Sequence, residues 1–178
     1  MTKKAVNNPI QFTFSYVFAC FLLVALTGSA RATDLAKASL VVSPSIPSPM
    51  KETAVQVLTE EIQKRTGISL KHTATWPKAS GPVIALLLSS DNGVSGMSAP
   101  SGRTRGNHEF KKEGYRILSD LTPGKNVVWV IGADTRGILF GVGWLLRNME
   151  MSTGKLRLDG NIDFATSPVY PIRGHQLG

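Results

Sequence analysis

The chain has 178 residues, a formal charge of +8 and one cysteine, with 42% hydrophobic and 18% charged residues. That composition is globular and excludes collagen-like, wholly disordered and disulfide-scaffold chains. A complete (β/α)8 barrel needs about 250 residues, so no barrel enzyme fits within this length.

Lys3 and Lys4 precede an apolar run over residues 12–26, and Ala30-Arg31-Ala32 supplies a small-residue cleavage pattern. This order predicts a secretory signal peptide over residues 1–32, cut after Ala32, and a secreted or periplasmic protein. The apolar run of about 15 residues is shorter than the roughly 20 that span a bilayer, so no stable membrane anchor is expected. Cys20 lies inside that run and not at the cleavage point, which argues against a lipid anchor. The segment removes Lys3, Lys4 and Arg31 and no acid, so the charge falls from +8 to +5 and no cysteine is left. Disulfides, thiolate metal sites and cysteine nucleophiles are thereby excluded from the mature chain. Export and a modest charge also argue against nucleic acid as a partner.

Residues 33–37 read as a short flexible leader. Residues 38–43 (ASLVVS) are apolar and β-branched and precede a Pro-rich turn, which predicts a strand. Ser48 as N-cap and Pro49 as first helical position open a helix over residues 49–66, with Lys64 and Arg65 in its last turn and Gly67 as the stop. Residues 68–76 alternate as a half-buried strand would. Residues 83–88 form a continuous apolar run suited to a central strand. Residues 91–112 lack periodicity and read as a long loop. Two strands follow, 115–121 and 126–131, joined by a turn at Thr122-Pro123-Gly124-Lys125. A second helix, about 135–149, and a strand at 155–158 complete the pattern. The order β-α-β-β-β-β-α-β predicts an α/β (α+β) domain, a mixed sheet of about five to six strands with two helices on one face.

The second helix is apolar on two sides. Ile138, Val142, Leu145, Leu146 and Met149 form one face, while Phe140 and Trp144, four apart, lie nearly opposite. Gly137, Gly141 and Gly143 fall between the faces and permit close backbone approach. A sheet covers only one side, so Phe140 and Trp144 are expected to dock against a further domain. The competing expectation is that the long loop or the C-terminal tail folds over them.

The motifs that could carry chemistry read as structural. The glycines of Gly132-Ala133-Asp134-Thr135-Arg136-Gly137 have the spacing that starts a phosphate loop, but Ile138-Leu139 stand where Lys and Ser or Thr are required. Asp134 is expected to cap the helix instead. Gly141-Val142-Gly143 falls inside the helix, so it is no dinucleotide fingerprint. His72, His108 and His175 are too scattered for a metal site, and Glu60 and Glu61 point in different directions along a helix. Glu109 and Glu113 flank the basic loop as solvated charges. No catalytic residues, metal or cofactor are expected.

From Ala38 onward the segments resemble the N-terminal domain that precedes the catalytic barrel in certain glycoside hydrolases, the family 67 α-glucuronidases and family 20 β-hexosaminidases. The residues that carry this are Glu113-Gly114-Tyr115-Arg116-Ile117, the strand ending Val130-Ile131-Gly132-Ala133-Asp134, and Arg136-Gly137-Ile138-Leu139-Phe140-Gly141 with Leu145-Leu146-Arg147. The resemblance implies a noncatalytic accessory domain over residues 33–170 whose partner is a catalytic barrel, missing or separately encoded. Residues 171–178 would then begin that barrel. Tyr170-Pro171-Ile172-Arg173-Gly174 looks like the entry to its first strand, and Arg173 matches an arginine that binds sugar hydroxyls in the β-hexosaminidases. His175-Gln176-Leu177-Gly178 departs from the hydrophobic-Asp continuation of those enzymes. The carboxylates of glycoside hydrolysis belong to later strands. The alternative is a free-standing secreted carbohydrate-binding module. It requires exposed rings among Trp76, Trp129 and Trp144, all of which sit in apolar patterns that favour burial.

Overall fold

A computed structural model describes residues 32–78, 80–100, 111–122 and 125–169. The expected signal peptide up to Arg31, residues 101–110 of the expected long loop and residues 170–178 lie outside the described residues.

The fold centres on a six-stranded mixed sheet. Its strands are β2 (Ser39–Val42), β3 (Lys71–Thr73), β4 (Val83–Leu88), β7 (Tyr115–Asp120), β8 (Val127–Gly132) and β11 (Asp163–Thr166), in the order β11-β7-β8-β4-β2-β3. Strands β3, β2, β4 and β8 run parallel, while β7 and β11 are antiparallel to their neighbours. Helices α1 (Met50–Thr66) and α2 (Thr135–Asn148) pack side by side on one face. The predicted architecture is therefore the observed one.

Alternation along the strands divides the core in two. Leu40, Val42, Ile84, Leu86, Ile117, Val128 and Val130 point toward the helices and meet Ala54, Leu58, Ile62, Ile138, Val142 and Leu145. Val41, Val83, Ala85, Leu87, Leu118, Val127, Trp129 and Ile131 point to the other face. Among the described residues no helix covers this second face. The small hairpin β5–β6 (Gly93–Val94 and Met97–Ser98) packs there with Val94 and Met97, together with Trp76. Strands β4 and β8 are buried on both sides, which is why their sequences are unbroken apolar runs.

Several local expectations are corrected. The supposed leader is structured: β1 (Thr33–Asp34) pairs with β10 (Lys155–Leu158), which pairs in turn with β9 (Glu150–Ser152), and Leu35 is fully buried. The first helix begins at Met50, and Ser48 does not cap its backbone. The Ser48 hydroxyl donates instead to the Glu52 carboxylate at 2.6 Å, holding that carboxyl below its ordinary pKa. The strand expected over residues 68–76 shrinks to β3. Ile68 and Leu70 pack on the helical side, but Trp76 has crossed the sheet edge to stack on Trp129 at 5.7 Å. A single straight strand cannot serve both faces in that way. Lys71 and His72 leave this edge strand short and exposed, which discourages edge-to-edge pairing. The region predicted as one long loop contains the β5–β6 hairpin.

Candidate functional site

Helix α2 starts at a built junction. Asp134 caps it as expected, its carboxylate accepting the Gly137 N–H at 2.8 Å. The other oxygen accepts the Glu113 N–H, also at 2.8 Å, and the Ala133 N–H donates to the Gly114 carbonyl at 2.9 Å. Glu113 holds φ of 63° there and ion-pairs Arg136 at 2.8 Å. One carboxylate thus ties the helix start to the entry of β7. Gly137 has no room for a side chain, because a Cβ would run into the Gly114 carbonyl oxygen, and a Cβ on Gly141 would stand 2.6 Å from a Val130 methyl. Gly143 is different from these two. A Cβ there would meet only the mobile end of Arg147 at 3.4 Å, so the expected close approach does not occur at that position.

These glycines seat α2 low on the sheet and set the direction of its second side. Phe140 and Trp144 are both half-buried. Trp144 lies against Phe164 of β11, ring centroids 5.0 Å apart, and Phe164 meets Tyr115 edge-on at 5.9 Å. The C-terminal tail therefore does fold against Trp144, in the form of a strand that pattern reading missed. Phe140 stands beside a cleft of about 260 Å³ between α2, β7 and the end of β11, lined also by Tyr115, Arg147 and Pro168. Burial raises the Tyr115 pKa above its ordinary 10.0, an effect that the Arg147 charge opposes. A second cleft, about 420 Å³, lies beside Trp144 and Phe164 near Asn148, Asn161 and Asp163. On the opposite face of β11, Asp163 receives two bonds from the nearly buried Arg116, at 2.8 and 2.9 Å. Beyond β11 the described residues end at Val169, 86% exposed.

The signal for β11 was present in the sequence. Ile162 and Phe164 alternate with Asp163 and Ala165 just after Gly160, as a half-buried strand does. Arg173, His108 and His175 lie outside the described residues. His72 is an exposed sheet residue. Glu60 accepts from Gln56, and Glu61 pairs with Arg65. Among the described residues no three His, Cys, Asp or Glu side chains are grouped so as to hold a metal, and no helix is long and apolar enough to cross a membrane.

No family model and no curated protein sequence matches the chain. Solved structures do match. The GH20 exo-β-N-acetylglucosaminidase from Vibrio harveyi superposes with a TM-score of 0.51 at 12% identity, over 80% of this chain and 18% of that one. The GH20 β-N-acetylhexosaminidase from Streptomyces coelicolor A3(2) gives 0.48 at 17% identity, over 76% and 24%. A family GH115 4-O-methyl-α-glucuronidase gives 0.49 at 16%, over 74% and 18%. What is shared is a fold. This chain spans less than a quarter of each of these glycoside hydrolases.

Proposed function

We propose that the protein is a noncatalytic accessory domain of a secreted glycoside hydrolase of the β-hexosaminidase or α-glucuronidase kind. It is exported by residues 1–32, cut after Ala32, and packs against a catalytic barrel that is separately encoded or missing from this chain. The observation that carries the reading is the second apolar side of α2. Phe140 and Trp144 stay half-buried after the sheet and β11 have taken their share, and two clefts flank them. The rings sit among polar groups, Glu113, Arg147, Thr166 and Ser167 in one cleft and Asn148, Asp159, Asn161 and Asp163 in the other. Glu113 is held by Arg136 and Asp163 by Arg116. An aromatic centre with such a polar rim suits a protein surface. The chain also leaves β11 beside the first cleft, where Ser167 and Pro168 form its wall. A barrel continuing from residue 171 would begin next to that side, and Arg173 would be carried at its first strand as a sugar-binding group. The superposition on part of the V. harveyi enzyme supports this parentage at the level of fold.

The test is twofold. The purified chain should show no turnover of aryl-glycosides. It should also be recovered from the native secreted fraction with a protein whose mass-spectrometric identity is a glycoside-hydrolase barrel. Turnover by the chain alone contradicts the reading.

A further inference from the structure

The face of the sheet opposite α2 carries a second surface that the docking role does not use. Two adjoining clefts, about 200 and 340 Å³, open where β7 ends and where β4 and β8 begin. They share Ser80, Lys125 and Asn126. Trp76 forms a wall of the smaller one, with Val83 and Val127 as its apolar floor. The indole is held in place from behind, stacked on the buried Trp129 at 5.7 Å with 25° between the rings. A half-buried ring so fixed costs little further ordering when a ligand lies on it.

The charge in this place has one sign. Lys78 and Lys125 line the smaller cleft, and among the described residues no carboxylate lines either one. Asp120 is the acid that pairs with Lys125. Its Oδ1 is taken by the Thr122 N–H and hydroxyl, at 3.3 and 2.8 Å, and its Oδ2 stands 3.9 Å from the Lys125 ammonium. That contact is loose and exposed, so it holds Lys125 weakly. Lys78 is exposed and has no ion pair among the described residues. Ser80 and Asn126 are exposed as well and add a hydroxyl and an amide.

A supported tryptophan, two ammonium groups and neutral hydrogen-bonding side chains suit an anion that also carries an apolar face. We propose that this surface binds an acidic saccharide, the uronic-acid unit of a polysaccharide, with its C–H face on Trp76 and its carboxylate between Lys78 and Lys125. The choice of a saccharide over other anions rests on the glycoside-hydrolase parentage above. The site itself is independent of docking, because Trp76 packs on the face of the sheet opposite α2.

The purified protein is titrated with oligogalacturonate, with neutral xylo-oligosaccharide and with poly-glutamate, following tryptophan fluorescence. Oligogalacturonate should bind and perturb the emission, with about tenfold weaker binding of the neutral sugar. Lys78→Gln with Lys125→Gln, both at exposed positions, should weaken oligogalacturonate by about tenfold with an unchanged circular dichroism spectrum. Trp76→Phe should retain weaker binding. No binding of oligogalacturonate, equal binding of poly-glutamate, or wild-type affinity in the double lysine variant would each overturn the proposal. None of these outcomes bears on whether a barrel docks at Phe140 and Trp144.

Discussion

The Trp144 indole rests on the Phe164 ring at 5.0 Å, so a residue of the last strand shields part of a helix side that the first strands cannot reach. This contact covers part of the α2 side on which docking is proposed. Trp144→Ala and Phe164→Ala should each lower stability by about 1–3 kcal/mol, because both rings are only half-buried. A double-mutant cycle in urea should give a coupling of about 0.5–1.5 kcal/mol. Additive losses would mean that the rings are neighbours without an energetic bond.

Asp134 serves two backbone donors on two elements, and its loss should exceed that of a simple cap. Asp134→Ala is expected to cost about 2 kcal/mol, the upper range for an N-cap, by chemical denaturation. Asp134→Asn keeps acceptor capacity for one donor and should cost less. Equal losses would show that only the Gly137 bond matters.

The glycines of α2 separate by position. Gly137→Ala should be strongly destabilising, since the added methyl meets the Gly114 backbone. Gly143→Ala should be neutral or raise stability by up to about 1 kcal/mol through helix propensity. Thermal melts of the two variants decide this. A costly Gly143→Ala would place unrecognised packing at that turn.

These glycines also mark what pattern reading could and could not reach. The two-sided character of α2 and the Asp134 cap were legible, because helical periodicity and capping chemistry are local. So were β4 and β8, as uninterrupted apolar runs. Gly137 and Gly143 look alike in sequence, and only the path of β7 beneath the helix distinguishes them. The strand expected through Trp76 failed for a related reason. Alternation continues past Thr73, but the chain turns across the sheet edge to deliver Trp76 to the face occupied by Trp129. Strands β1 and β11 were missed because each is short, and their pairing partners are distant in sequence, at β10 and β7.

Tyr115 gives a pH dependence. Burial holds its pKa above the ordinary 10.0, so the folded state keeps its proton where the unfolded state releases it. The associated stability is complete below pH 10 and declines as pH rises through the unfolded value, until the folded tyrosine also ionises. Urea denaturation of wild type and Tyr115→Phe should diverge with rising alkaline pH, the wild type losing more. Removing the Arg147 charge with Arg147→Gln should raise the Tyr115 pKa further, read by phenolate absorbance.

The central claim is that the outer side of α2 is a docking surface for a catalytic barrel. Hydrogen exchange on the chain, alone and with the barrel recovered beside it, tests this most directly. Added protection should concentrate at residues 139–147 and 162–169, and Phe140→Ala should weaken the complex while leaving the free chain folded. Protection confined to other regions, or a complex indifferent to Phe140, would contradict the account.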